Sequence, residues 1–285
     1  MSDDLPGKWF GDGYVVARGL LDIRRVDSLL GVCEEVLRQW RIRDPQSRAE
    51  GAREDAQSMR HLNHPAYFAN DRSGLLEILD SIADPRVLEV CAAILGEQPL
   101  FRCTSLFMNP QQTSQDGSWH RDSQFQKPDV EEEKESVAAS QNSGEAIQLQ
   151  IALVASRDVE FVPGSHRRWD TDEEFQIRRA AAGSNSRSNA MPGAVRIELE
   201  PGDAVAFNPY GLHRGRYHAD KLRRTYMLTY TRSSLPRYAY FSHQPWFADE
   251  GYLDGVEPAT REFLAPFVDA YAAQWAETGT TFKSG

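Results

Sequence analysis

Trp119-His120-Arg121-Asp122 is the stretch that decides the fold, read together with one distant histidine in Gly211-Leu212-His213-Arg214-Gly215. His120 and Asp122 stand two apart, so on an extended strand or at its exit both side chains leave the same face. Two imidazoles and one carboxylate on one face of a metal leave the opposite positions open. That is the facial arrangement expected of a non-haem Fe(II) oxygenase. An HxD pattern is weak alone, and its company strengthens it. Eleven residues after His213 comes Arg224, inside the strand-like run Arg223-Arg224-Thr225-Tyr226-Met227-Leu228-Thr229-Tyr230-Thr231.

Upstream of this motif the chain reads as helical. Residues 5–19 read as a turn followed by a short strand, and from Asp22 apolar residues recur at helical spacing: Val26, Leu29, Leu30, Cys33, Val36 and Leu37. Residues 41–58 are charged and loop-like, broken by Pro45 and Gly51. Gly74–Ile82 and Arg86–Leu95 read as two further helices, the second ended by Gly96. Leu100–Asn109 is β-rich, and a polar loop over 110–118 delivers His120.

Downstream, short strands dominate. Residues 128–135 form a charge cluster running on to Gly144, either a solvated loop or helix start, or a lid beside the site. Ile147–Val154 alternates, with Gln148 and Gln150 on one face and Leu149, Ile151 and Leu153 on the other. Two glutamines on an inner face need hydrogen-bond partners, a ligand or each other. Residues 160–166, 194–199 and 204–207 read as strands, and 170–192 as helical and then polar. The tail carries several aromatics and one helix over 259–275. Helices first, then short strands with Gly/Pro turns, favour a mainly β fold with α: a double-stranded β-helix of jelly-roll or cupin type packed on N-terminal helices. We expect one domain over 1–285, with a helical part at about 20–96, a core at about 100–232 and an extension at 233–285.

Composition bounds the function. The chain has 285 residues, 40% of them hydrophobic, ample for a core. It has no apolar run of about 18 residues to span a membrane, and the acidic start, Met1-Ser2-Asp3-Asp4, is unlike a signal peptide. Cys33, Cys91 and Cys103 are odd in number and form no CxxC pair, which fits a reducing cytoplasm. A net charge of −10 argues against nucleic acid as partner. It is compatible with a cationic substrate, and equally with plain solubility. A homo-oligomer is compatible with the sequence.

Trp119-His120-Arg121-Asp122, Val162-Pro163-Gly164-Ser165-His166, Pro201-Gly202-Asp203, and His213 with Arg224 follow one another in an order that resembles the phytanoyl-CoA dioxygenase family. The resemblance covers about residues 100–232. It implies a double-stranded β-helix using Fe(II), 2-oxoglutarate and O2, with His120, Asp122 and His213 as iron ligands. Arg224 would then bind the distal carboxylate of 2-oxoglutarate, and Gln148 falls where some members place a polar cosubstrate contact. Gly215 stands where relatives often have a serine that helps hold that carboxylate, and the stretch 154–159 lacks a common Asn-Gly turn. Asp122 supplies a carboxylate where halogenating relatives have a small residue, so hydroxylation is the default outcome.

Such a site decarboxylates 2-oxoglutarate to succinate and generates an oxidant that removes a substrate hydrogen atom. An arginine among Tyr226, Leu228 and Tyr230, taken as the inner face, needs an anion partner, either a carboxylate ligand or an internal salt bridge. His166 reads as a turn-stabilising side chain, and Arg121 should point away from iron, toward either the protein or a substrate. The acidic cluster Glu131–Glu135 leans the substrate toward a small amine-bearing sugar or natural product. Two alternatives remain: a cupin-type metal-dependent isomerase or hydrolase that ignores 2-oxoglutarate, and a non-catalytic binding module.

Overall fold

The computed structural model describes residues 4–45, 53–140 and 146–279. Residues 46–52 of the loop expected over 41–58, and the end of the charged segment at 141–145, lie outside these described residues. The chain opens with α1 (Leu5–Asp12) and β1 (Tyr14–Ala17), then α2 (Ile23–Ile42), β2 (Ser58–Arg60), α3 (Arg72–Ile82) and α4 (Pro85–Leu95). There follow β3 (Pro99–Met108), β4 (Gln115–Asp116), α5 (Ser123–Gln126), α6 (Val130–Ser140), β5 (Ala146–Ala152) and β6 (Ser156–Phe161). The remainder is α7 (Asp172–Arg178), α8 (Ala180–Gly183), β7 (Val195–Leu199), β8 (Ala204–Phe207), β9 (His213–Tyr217), β10 (Arg224–Arg232) and α9 (Pro258–Thr278).

The strands form two antiparallel sheets, β1-β8-β5-β10-β3-β2 and β4-β9-β6-β7, the two walls of a double-stranded β-helix. The larger sheet separates two environments. Its outer face, with Leu149, Ile151, Ala204, Ala206, Tyr226, Leu228 and Tyr230, joins one apolar core with α2, α3, α4 and α9. Its inner face contributes Ala152, Val205 and Phe207 to a smaller cluster with Val159, Phe161, Ile197 and Leu199 of the opposite sheet.

The helices begin and end where local chemistry dictates. Asp22 and Asp71 cap α2 and α3 by accepting from Arg25 and Gly74 N–H, and Gly96 ends α4 in the left-handed conformation. Leu5–Asp12 differs from the turn expected there. The Asp4 side chain accepts from Gly7 N–H, Pro6 sits in the first turn, and Gly13 at φ 82° closes the helix over the buried Trp9. Two glycines in eight residues hid that helix from propensity arguments. The expected strand does follow it, as β1. Among the described residues, no helix is long and apolar enough to cross a membrane.

Candidate active site

The HxD motif lies at a strand exit. His120 and His213 form an antiparallel bridge and exchange both backbone hydrogen bonds, each 3.0 Å. Asp122 N–H is held by Pro209 O at 2.9 Å, and Asp122 already has helical backbone angles at the start of α5. The turn brings its carboxylate back between the two rings. Asp122 Oδ1 lies 3.6 Å from His120 Nε2 and 3.6 Å from His213 Nε2, and one donor atom from each residue falls within 4.8 Å of the others.

Both imidazoles are locked by the same device. His120 Nδ1 meets Ser118 O at 2.7 Å, and His213 Nδ1 meets Gly211 O at 2.9 Å. A carbonyl only accepts, so each Nδ1 carries the proton and each Nε2 presents its lone pair. Burial, and then the neighbouring His120, hold His213 well below the ordinary histidine value, so it is neutral near pH 7. Burial raises the Asp122 carboxyl, opposed by His120, Arg60, Gln148 and Arg102. Gln148 donates a short hydrogen bond from Nε2 to Asp122 Oδ2. That leaves Oδ1 turned toward the histidines. Two imidazole nitrogens and one carboxylate, each oriented by a second group, fit a divalent iron of the facial type.

Behind the motif lies a buried ion network. Arg121 is fully enclosed and pairs with Asp170 at 2.8 Å, donating also to Ser165 O. Asp170 in turn binds Arg178, which pairs with Glu133. Arg121 therefore points away from the donors, as its place between two ligands demands. His166 is buried beside Gly13 and is no member of the donor cluster.

One sequence expectation, Arg224 as the arginine that meets the cosubstrate, needs correction. Arg224 faces away from the site. Its Nε lies 2.6 Å from Glu34 Oε1 on α2, and its Nη1 lies 2.8 Å from Asn109 Oδ1. The reason is strand parity. Tyr226, Leu228 and Tyr230 are each buried against the helices, where burial of one such side chain contributes about 1.5–3 kcal/mol. Arg224 shares their face, and the odd-numbered set faces the cavity instead: Arg223, Met227, Thr229 and Thr231. Of the two adjacent arginines, Arg223 is therefore the one that lines the cavity. It is 2% exposed, stacks on Phe107 and Tyr217 at 5.3 and 4.6 Å, and has no carboxylate partner among the described residues.

Gln148 lines the cavity, yet its partner is the Asp122 carboxylate, so it holds a candidate metal ligand. The charge cluster takes the solvated, helical form of the two expected for it. Residues 130–140 are helical, Glu131, Glu132 and Glu135 are exposed, and Glu133 is buried against Arg178. None of these glutamates lines the cavity.

The cavity holds about 570 Å³ beside the three donors. Gly215 lies on its wall, and a Cβ there would fall 2.5 Å from Tyr217 Oη and 2.8 Å from Arg223 Nη1. Tyr217 therefore fills the space a serine at 215 would need, and sets a hydroxyl beside Arg223. Arg60, Arg102 and Arg237 also line the cavity. They come from β2, β3 and the C-terminal extension, and no motif in the sequence links them.

The phytanoyl-CoA dioxygenase (PhyH) family matches residues 9–225, and the chain belongs to that family. It is accordingly an enzyme of the non-haem iron, 2-oxoglutarate-dependent type. Among solved structures it resembles AviO1 from Streptomyces viridochromogenes Tue57 at 19% identity and a TM-score of 0.58, covering 82% of this chain and 96% of that one. EctD from S. alaskensis, with 2-oxoglutarate and 5-hydroxyectoine, matches at 17% identity and 0.61, covering 92% and 86%. The epimerase SnoN from nogalamycin biosynthesis, described as non-heme and alpha-ketoglutarate-dependent, matches at 20% and 0.54, covering 81% and 80%. At these identities the likeness is one of fold. No curated protein matches the sequence.

Proposed function

We propose that this protein is an Fe(II)- and 2-oxoglutarate-dependent dioxygenase that hydroxylates or oxidises a C–H bond of a small polar molecule, releasing succinate and CO2. One observation carries the reading: His120, Asp122 and His213 converge on a cavity that also holds a buried arginine, Arg223, with no carboxylate partner among the described residues. His120 Nε2, Asp122 Oδ1 and His213 Nε2 would hold the iron. Bound iron and 2-oxoglutarate supply an oxidant able to take a hydrogen atom from carbon.

The chain's own groups position and shield. The Ser118 and Gly211 carbonyls keep the ring protons on Nδ1, so neither ring turns its donor away. Gln148 fixes the rotation of the Asp122 carboxylate. Arg223, assisted by the Tyr217 hydroxyl, receives the distal carboxylate of 2-oxoglutarate. Its guanidinium already gives Nη1 to Arg216 O and Nε to Thr225 Oγ1, which fixes the plane of the fork and leaves other N–H groups for an anion. Phe107, Phe125 and Phe241 on the walls limit water around the reacting atoms.

Residues 1–285 act as one unit in this reading, because the extension beyond residue 232 supplies both core and cavity. Phe267 and Trp275 pack in the core, while Arg237 and Phe241 line the site. The likeness to a nogalamycin-biosynthesis enzyme supports a place in natural-product metabolism.

The test is O2-dependent conversion of 2-oxoglutarate to succinate by the iron-loaded protein, with and without candidate substrates. Wild type should produce succinate, and Asp122→Ala should not. Iron binding with no succinate under any condition would move the assignment to a cupin-type isomerase or hydrolase.

A further inference from the structure

The charge of the cavity does not match the charge of the protein. The chain carries a net −10, yet five arginines line this cavity and Asp122 is its only carboxylate among the described residues. Arg214 is accounted for by its ion pair with Glu160. With the site filled as proposed above, Fe(II), Asp122, the two carboxylates of 2-oxoglutarate and Arg223 cancel. Arg60, Arg102 and Arg237 are left over.

None of these three makes an ion pair within the described chain. Arg60 stacks on Phe107 at 5.1 Å and reaches Phe241 at 5.9 Å, and its only hydrogen bond among the described residues is a 3.4 Å contact to Met59 O. Arg102 lies over Phe241 at 5.7 Å, and its Nε is fully enclosed without a hydrogen-bond partner among the described residues. Burial pulls the Arg102 guanidinium down, and the nearby Arg237 charge adds to it. Arg237 is exposed, with its backbone pinned to Tyr271 Oη. Two further cavity atoms, Gln150 Oε1 and Thr229 Oγ1, are likewise enclosed and without partners among the described residues.

Like charges gathered around one cavity, one of them desolvated, are unfavourable unless an anion joins them. Aromatic faces hold the guanidinium planes in place and leave their N–H edges free. We infer that the organic substrate carries an oxyanion, a carboxylate or a phosphate ester, which Arg60 and Arg102 clamp and Arg237 attracts. Phe107 and Phe241 then bear the apolar part of the molecule. The amine-bearing substrate suggested by the acidic helix is replaced by one of opposite charge. This inference rests on the iron and 2-oxoglutarate reading of the same site.

The test uses the full chain, loaded anaerobically with Fe(II) and saturating 2-oxoglutarate, so that Arg223 is already engaged. Calorimetric titrations with phenylacetate, phenyl phosphate, benzylamine and benzyl alcohol share one apolar body and differ in charge. At least one anion should bind ten or more times tighter than the amine and the alcohol. The better of the two anions identifies the oxyanion. Arg60→Gln/Arg102→Gln should lose that preference by about tenfold to a hundredfold while keeping the charge-transfer band of the iron–2-oxoglutarate complex. Arg237→Gln, an exposed change that spares the fold, should weaken anion binding by a smaller factor that vanishes at high salt.

Four results would overturn the inference: benzylamine binding as tightly as the anions, no anion binding while the band is present, unchanged anion affinity in the double variant, or loss of the band in that variant. The last would make the two arginines cosubstrate residues. Absence of the band in wild type is a separate failure, which removes the cofactor reading and this inference with it.

Discussion

Exchanging the roles of two adjacent arginines is the sharpest consequence of the strand parity in β10. Arg223→Gln removes a buried guanidinium that has no carboxylate partner among the described residues and faces the cavity, whereas Arg224→Gln removes one that is tied to Glu34 behind the sheet. A charge-assisted hydrogen bond is worth about 1.5–3 kcal/mol, so Arg223→Gln should weaken 2-oxoglutarate about 10- to 150-fold. Glu34 is 45% exposed, so losing its pair with Arg224 should cost only about 0.2–1 kcal/mol of stability. It should leave cosubstrate affinity within twofold of wild type. Anaerobic titration of 2-oxoglutarate into the Fe(II) protein reads the first quantity, and urea unfolding reads the second. The opposite pattern, with Arg224→Gln abolishing 2-oxoglutarate binding and Arg223→Gln sparing it, would refute the assignment and the parity argument together.

Other consequences are narrower. Gln148→Leu deprives Asp122 Oδ2 of its donor, so iron affinity should fall about 10- to 100-fold; an unchanged iron titration would show the contact to be idle. Gly215→Ser forces a side chain against Tyr217 Oη and Arg223 Nη1, so 2-oxoglutarate affinity should drop while iron affinity holds. Improved 2-oxoglutarate binding in that variant would mean the serine is accommodated after all. Burial holds His64 and His166 at about 4 instead of 6.5. Between those values the unfolded chain takes up protons that the folded chain refuses, so their contribution is whole above pH 6.5 and lost as pH falls toward 4. His64→Gln should therefore show a smaller decline in urea midpoint from pH 7 to pH 5 than wild type, and an identical decline would count against the burial argument.

The parts legible in sequence are those encoded locally or by period. The β5 alternation is observed as read, with Gln148 and Gln150 on the cavity wall and Leu149 and Ile151 in the core. Asp22, Asp71 and Gly96 mark helix ends where they stand. His120, Asp122 and His213 announced themselves by residue type and spacing, and the fold brings them together. Arg224 is a site residue only if the apolar set Tyr226, Leu228 and Tyr230 forms the inside of the roll, and that set packs against the helices instead. In this fold the helix layer takes the apolar face, and the polar face lines the site. A run flanked by two arginines, with Thr225, Thr229 and Thr231 on the odd positions, carried that signal. Arg60, Arg102 and Arg237 were not legible, because only tertiary packing gathers β2, β3 and the extension around Phe107 and Phe241.

The central claim is that His120, Asp122 and His213 hold iron in a form that accepts 2-oxoglutarate. The most direct measurement is the visible spectrum of metal-free protein titrated anaerobically with Fe(II) and then with 2-oxoglutarate. The account predicts a weak metal-to-ligand charge-transfer band that saturates at one equivalent of iron and is absent in Asp122→Ala and His213→Ala. A wild-type protein that binds iron yet never develops the band, or variants that keep it, would contradict the account.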